Sequence, residues 1–173
     1  SLYYFQDATM KQIGQALVAL KSMFQGAGYS NVNLIAPGVS FAYNTLPYMN
    51  EIATVPGALQ AVKTVSYHRY DLGDFAAIGA YAKANGLQTA MSEWTGGEID
   101  TLFDDLTLAN VSSWQKWAIA GRGVTSTLQA AYLTADFTNP ASPAFYPAIN
   151  AASLSLFFKY VRLGAVRVAA TSA

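Results

Sequence analysis

Apolar residues recur along this chain in two patterns, one typical of helices and one typical of strands. The helical pattern opens the chain, with an apolar residue every three or four positions at Met10, Ile13, Leu17, Leu20 and Phe24. It predicts an amphipathic helix over residues 7–24, ended by the glycines at 26 and 28. Further helices are predicted at 48–53, 57–61, 75–84 and 99–109, and from Pro147 onward.

Short runs of apolar and β-branched residues predict strands between these helices. They occupy residues 31–36, 62–68, 87–94, 111–120 and 165–169. Pro37-Gly38 is predicted to end the first strand, and Asp74 to cap the helix that follows the second. A long loop of polar and small residues is expected over 136–143.

Strands that alternate with helices predict parallel β/α units with right-handed crossovers. Four such units, preceded by a helix without a strand of its own, predict the C-terminal half of an eight-unit β/α (TIM) barrel. A small open sheet of four or five strands, covered on both faces, fits the same periodicity. The pattern of residues does not separate the two folds.

Composition narrows the classes of function. Hydrophobic residues make up 53% of the 173 and charged residues only 12%, which indicates a large buried interior. Ten basic residues balance ten acidic ones and form no basic run, so we expect no nucleic-acid partner. No apolar stretch approaches a membrane span and no signal peptide is recognisable, so the chain is either cytoplasmic or lacks its natural N-terminus.

Candidate chemistry lies where the predicted strands end. Glu93 lies just before Gly96-Gly97, where a parallel strand is predicted to end and its loop to begin. The carboxyl ends of parallel strands carry the chemistry of α/β enzymes. The same rim is predicted to hold His68, Arg69, Tyr70, Thr95 and Trp117. A carboxylate, an imidazole, a phenol and an indole suit a reaction with an oxocarbenium-like transition state.

The sequence lacks the residues that serine hydrolases, metalloenzymes and nucleotide-binding enzymes require. The chain has one histidine and no cysteine, and it contains no Gly-x-Ser-x-Gly, His-Glu-x-x-His or Gly-x-Gly-x-x-Gly. We therefore expect no serine nucleophile, no dedicated metal and no cofactor. Glu51 and Glu98, the remaining glutamates, are interpreted as structural residues.

Four motifs, in order, resemble the clan A retaining glycosidases and most closely glycoside hydrolase family 30. They are His68-Arg69-Tyr70, Ser92-Glu93, Trp114-Gln115-Lys116-Trp117, and the passage FFKYVRLGAVRV at 157–168, in which Leu163 replaces a usual proline. The resemblance implies that residues 1–163 are a partial barrel and that 164–173 begin a strand of an appended β-domain.

The resemblance also implies roles for the rim residues. Glu93 would be the nucleophile, Tyr70 its hydrogen-bond donor, His68 a wall of the sugar subsite and Trp117 a stacking platform, with Trp114 packed behind. Arg69 and Thr95 are predicted to contact substrate. The acid/base of the family, an Asn-Glu on an earlier strand, would lie upstream of Ser1, so this chain alone is expected to be nearly inactive.

The sequence therefore predicts part of a retaining β-glycosidase acting on a β-linked saccharide or glycoconjugate. Its partners would be a carbohydrate and the missing N-terminal half of the barrel, with no membrane span, and secretion is favoured by the resemblance alone. A non-catalytic carbohydrate-binding or scaffold protein on the same half barrel is an alternative. An unrelated small α/β domain, with rim residues that coincide by chance, is a third.

Overall fold

The computed structural model describes residues 10–71, 73–123 and 130–168. Contacts divide the chain into two compact units. The first comprises Ser1–Trp94 and Asp100–Trp117, and the second comprises Thr95–Ile99 and Ala118–Ala173, each in its described part. The predicted boundary at residue 163 stays a prediction.

The first unit is a parallel sheet with helices. In chain order its elements are α1 (Met10–Gly26), β1 (Leu34–Val39), a 3₁₀ turn (Ala42–Asn44), α2 (Thr45–Ala53), α3 (Ala58–Ala61), β2 (Val62–His68), α4 (Phe75–Ala84), β3 (Gln88–Glu93), α5 (Ile99–Thr107) and β4 (Ser113–Trp114). The four strands lie side by side in the order β1-β2-β3-β4, and every neighbouring pair is parallel. The prediction of parallel strands in chain order is confirmed.

The core of this unit lies between the sheet and its helices. Val65, Tyr67 and Met91 from the two central strands are completely buried, together with Ile52 of α2 and Ile78 of α4. Burying such side chains contributes about 1.5–3 kcal/mol each. Since side chains alternate along a strand, Tyr67 on the helix side requires that Ser66 and His68 face the other side of the sheet.

Helix α4 approaches the segment after α5 so closely that one position must be glycine. A Cβ built on Gly79 would lie 2.7 Å from the carbonyl oxygen of Leu108 and 3.0 Å from that of Ala109. The absent side chain therefore lets the helix pack directly on backbone. Asp74 caps the same helix as predicted, accepting a hydrogen bond from the backbone N–H of Ala77 at 2.8 Å.

In its described residues, the second unit contains a three-stranded sheet and one helix. Its elements are β5 (Ala118–Arg122), β6 (Ala131–Asp136), β7 (Ala144–Pro147) and α6 (Ala151–Tyr160). Strand β6 is central, parallel to β5 and antiparallel to β7. Asp136 closes β6 with a local turn, in which the hydroxyl and backbone N–H of Thr138 donate to its carboxylate and lower its pKa.

Several predicted boundaries are wrong. Strand β1 begins at Leu34 and continues through Pro37 to Val39, because β1 is an edge strand, where a proline without an N–H is tolerated. The predicted fourth strand at 111–120 is two segments, β4 and the start of β5, which lie in different sheets. Residues 7–9 of the first predicted helix lie outside the described residues.

The C-terminal part also differs from the prediction. Strand β6 was not predicted, and Pro147 ends strand β7 instead of opening a helix, which begins at Ala151. Residues 164–168 form no strand, with Val166 84% and Val168 75% exposed. A strand is defined by pairing, and the described residues provide no partner for this segment.

The described ranges contain neither a candidate membrane-spanning helix nor a candidate metal-binding cluster. No helix within them combines the length and apolar character that a bilayer crossing requires. Nor do residues 10–71, 73–123 and 130–168 bring three or more His, Asp or Glu side chains together in a way that could hold a metal ion.

Candidate active site

The candidate site lies at the carboxyl ends of β2 and β3, the two central strands of the parallel sheet. The last residues of these strands, His68 and Glu93, are paired across the sheet. The backbone N–H of Arg69 then donates to the carbonyl oxygen of Glu93 at 3.2 Å, so the pairing continues one residue beyond β2. The backbone of both strand ends is therefore fixed where the side chains project.

One extra residue in β3 decides which way Glu93 points. Tyr67 pairs with Met91, and the next pair is His68 with Glu93, so β3 advances two residues while β2 advances one. The extra residue is Ser92, whose hydroxyl donates to the carbonyl oxygen of Tyr67 at 3.2 Å. Regular alternation from buried Met91 would turn Glu93 toward the helices, and the bulge turns it to the face of His68.

Glu93 makes two contacts through the same oxygen. The Tyr70 hydroxyl donates a hydrogen bond to Oε1 at 2.9 Å, and Nδ1 of His68 lies 3.5 Å from Oε1. The second contact is at the limit of hydrogen-bond length and lacks hydrogen-bond alignment, so it is a weak polar contact. The side chain of Glu93 is 29% exposed and that of His68 15%, which leaves the carboxylate reachable and the imidazole largely covered.

Burial sets the protonation of His68. Desolvation lowers the pKa of the imidazole below its ordinary value of 6.5, and the negative charge of Glu93 opposes that shift without reversing it. His68 is therefore neutral at pH 7. A neutral imidazole can orient a hydroxyl group of a ligand by donating or accepting a hydrogen bond.

Two rings lie close to that of Tyr70, the residue that donates to Glu93. The Tyr70 ring lies 5.6 Å from that of Trp94 and 6.1 Å, edge-on, from His68. The backbone of Trp117 lies beside that of Trp94, because its N–H donates to the Trp94 carbonyl oxygen at 2.9 Å. The side chain of Trp117 is 61% exposed. An exposed indole is suited to stacking on the apolar face of a sugar ring, and the predicted role of Trp117 as a stacking platform stays a prediction.

Arg69 is directed away from Glu93, toward the helices. Its guanidinium donates to Asp105 Oδ1 at 2.8 Å and to Asp104 Oδ2 at 3.2 Å, and it lies 4.3 Å from the centre of the Phe75 ring. The structure thus gives Arg69 a structural role, and its predicted contact with substrate stays a prediction. Thr95 belongs to the second unit, and its role also stays a prediction.

Asp105 is the centre of this buried network. Besides Arg69, it accepts hydrogen bonds from the Tyr67 hydroxyl at 2.5 Å and from the Trp114 indole Nε1 at 2.9 Å. Burial raises the pKa of Asp105 against the opposing effect of these donors, and burial with the nearby carboxylate raises that of Tyr67. Trp114 packs against the core, but Trp117 lies outside β4, so the two tryptophans do not occupy opposite sides of one strand.

The other carboxylates with described contacts are engaged elsewhere. Asp71 accepts from the backbone N–H groups of Ala42 and Tyr43, and Asp74 caps α4. Glu98 accepts from the backbone N–H of Gly97, and Glu51 lies within α2. None of these contacts involves Glu93.

This geometry can be compared with known proteins. No protein-family profile and no curated protein sequence matches the chain. Among solved structures, SrfJ from Salmonella typhimurium superposes with a TM-score of 0.71 and 14% identity, over 90% of this chain and 38% of SrfJ. The chain is similar in fold to part of SrfJ. It spans less than two fifths of that protein.

A second solved structure is much less similar. A GH30 endoxylanase from Clostridium papyrosolvens gives a TM-score of 0.38 and 17% identity, over 58% of this chain and 28% of the endoxylanase. What the comparisons show is a mixed α/β fold with a parallel sheet that matches part of a larger protein.

The sequence does not reveal the importance of two residues, one in the buried network behind the site and one beside Glu93. Asp105 lies in a helix beside Asp104, and an acidic pair on an amphipathic helix is typical of a solvent-facing surface. The predicted strand at 87–94 includes Trp94, but the sequence indicates no function for it. Its position directly after Glu93 was the available signal, because a residue that follows a strand-end carboxylate lies close to it.

Proposed function

We propose that this chain carries the nucleophile of a retaining β-glycosidase, and that the nucleophile is Glu93. The observation that supports it best is the hydrogen bond from Tyr70 to Glu93 Oε1, made at the carboxyl end of a parallel sheet with His68 beside it. This is the pair of roles that the resemblance to family 30 implies. The likeness to SrfJ supports the fold alone.

The proposed reaction is a double displacement. Glu93 attacks the anomeric carbon, the bond from that carbon to the leaving oxygen breaks, and a covalent glycosyl ester forms on the carboxylate. Water then attacks the same carbon, which releases the sugar and restores Glu93. Tyr70 and His68 both contact Oε1, so we assign the attack to Oε2.

The side chains around Glu93 have separate tasks in this proposal. Tyr70 holds the carboxylate in one orientation, which keeps the attacking oxygen aligned with the reacting carbon. Neutral His68 hydrogen-bonds the sugar, and Trp117 supports its apolar face. Sugars joined by glucosyl, galactosyl or xylosyl β-linkages are all compatible with these groups.

A retaining enzyme also needs an acid/base carboxylate about 5–5.5 Å from the nucleophile. The contacts of Asp71, Asp74 and Asp105 commit them to other parts of the fold. We propose that the acid/base belongs to sequence preceding Ser1, as the resemblance implies. This chain alone would then lack the 10²–10⁴-fold contribution that general acid catalysis typically makes.

The test uses substrates that do not need the acid. The reagent is a 2-fluoroglycosyl compound with a dinitrophenyl leaving group, which departs without being protonated. Glu93 of this chain should therefore become labelled even where the acid/base is missing. We expect peptide mass spectrometry to place a fluoroglycosyl adduct on Glu93, and Glu93→Gln to prevent it. The matched control is Glu98→Gln, which should leave labelling unchanged.

The same experiment separates this proposal from a non-catalytic carbohydrate-binding protein. Label found on Glu51 or Glu98 would make the nucleophile assignment wrong. Saccharide binding by a chain that none of the glucosyl, galactosyl and xylosyl reagents labels would favour the binding protein. An exposed Trp117 would serve either function.

A further inference from the structure

Two exposed aromatic rings lie at the end of β1, outside the site described above. Phe41 and Tyr43 stack on each other with their ring centres 5.8 Å apart and their planes inclined by 10°. They are 47% and 60% exposed. Large aromatic side chains that are both ordered by stacking and open to solvent are typical of binding surfaces.

The backbone beneath these rings is held by the segment that follows Tyr70. The carboxylate of Asp71 accepts hydrogen bonds from the N–H of Ala42 at 2.7 Å and of Tyr43 at 3.4 Å. Gly73 packs against the same segment. A Cβ built on Gly73 would lie 2.4 Å from the Cβ of Ala42 and 3.0 Å from the carbonyl carbon of Ala42. The aromatic pair is therefore fixed in place before any ligand binds.

This attachment places the aromatic pair at the same end of the parallel sheet as the candidate active site. Asp71 directly follows Tyr70, the residue that donates to Glu93. Strand β1 lies beside β2, which lies beside β3, so the strands of the aromatic pair and of Glu93 are two spacings apart, roughly 10 Å. A ligand that contacts both must be longer than a single sugar ring.

We propose that Phe41 and Tyr43 form a second sugar-binding surface, which holds a β-linked oligosaccharide beyond the sugar at Glu93. The ligand class rests on the proposed function. Parallel aromatic rings offer an apolar face that matches the C–H face of a pyranose, and they carry no charge that would select an ionic ligand. Asp71 is a positioning residue for this surface and does not touch the ligand.

The experiment compares long and short ligands on the whole chain. Isothermal titration calorimetry measures binding of xylohexaose and cellohexaose, and of xylose and glucose. We expect Tyr43→Ala and Phe41→Ala each to weaken hexasaccharide binding about tenfold, the effect of losing one good aromatic contact. Monosaccharide binding should not change, because a single sugar does not reach both surfaces.

Three further variants serve as controls. Tyr43→Phe keeps the ring and removes only the hydroxyl, so it should bind hexasaccharides like the parent chain. Phe103→Ala removes an equally exposed ring, 62% exposed on α5, and should also leave binding unchanged. Asp71→Asn keeps one acceptor oxygen and replaces the other, so it should weaken hexasaccharide binding less than Tyr43→Ala does.

Several outcomes would overturn the proposal. They are a parent chain that binds neither hexasaccharide, unchanged affinity in both alanine variants, or a change in sedimentation of Tyr43→Ala that shows the rings to be a contact between copies of the chain. Failure of this surface and failure of the proposed function are distinguishable. If Glu93 is labelled but hexasaccharide binding does not depend on Tyr43, only the proposed surface is wrong. If binding depends on Tyr43 but Glu93 is not labelled, only the nucleophile assignment is wrong.

Discussion

Substitution of Asp105 tests whether one buried carboxylate holds the ends of two strands. Asp105 is fully buried and accepts from Tyr67, Arg69 and Trp114. Asp105→Ala would leave a phenol, a guanidinium and an indole buried with unmet hydrogen bonds. Removing one partner of a buried ion pair costs about 3–5 kcal/mol. That is a large share of the roughly 5–15 kcal/mol by which a domain is stable.

Urea unfolding followed by tryptophan fluorescence measures this cost. With a slope of about 2 kcal/mol per molar urea, a loss of about 4 kcal/mol lowers the unfolding midpoint by roughly 2 M. Asp104→Ala is the matched control, because Asp104 contacts the same guanidinium at 3.2 Å but is 53% exposed. An exposed pair contributes about 0–1 kcal/mol, so this variant should shift the midpoint by less than about 0.5 M.

The comparison of the two aspartates decides the outcome. Equal midpoints for Asp104→Ala and Asp105→Ala would show that the exposed and buried contacts of Arg69 are equivalent, and the reasoning from burial would be refuted. A cost below about 1 kcal/mol for Asp105→Ala would refute it equally, since that is the size of a surface contact.

Two further predictions concern protonation and packing. The single histidine, His68, should titrate by NMR with a midpoint below 6.5, and Glu93→Gln should lower the midpoint further because it removes the opposing charge. Folding stability from this group should be complete above pH 6.5 and fall as the pH drops through the folded pKa, because the unfolded chain then binds the proton first. Gly79→Ala should cost about 1–3 kcal/mol in thermal unfolding through its clash with Leu108, whereas Gly26→Ala, in open space, should be neutral or stabilise by up to about 1 kcal/mol.

The central strands were predictable because local signals agree there. Residues 62–68 combine β-branched composition with clear ends, and Asp74 marks the following helix, so the predicted and observed bounds coincide. Residues 111–120 carry an equally apolar pattern, yet the structure divides them between two sheets. Pairing partners decide that division, and they lie far away in the sequence.

The candidate site was predictable in its residue types but not in its orientation. His68, Tyr70 and Glu93 could be placed at strand ends from the sequence, and the structure brings these three together. Arg69 lies between His68 and Tyr70 in the sequence, and only its partner on α5, Asp105, shows that it faces the helices. An isolated stretch of sequence cannot show that partner, because 36 positions separate the two residues.

The extra residue in β3 has a consequence for protein engineering. Since Ser92 is the residue that reverses the alternation, the direction of Glu93 depends on how many residues separate it from Met91. Exchanging loops after the strand leaves that number unchanged. Inserting one residue between Met91 and Glu93, with the bulge kept, would turn the carboxylate into the apolar layer beneath the helices. A graft or chimaera built on this sheet must therefore conserve the length of β3 before it conserves any side chain other than Glu93.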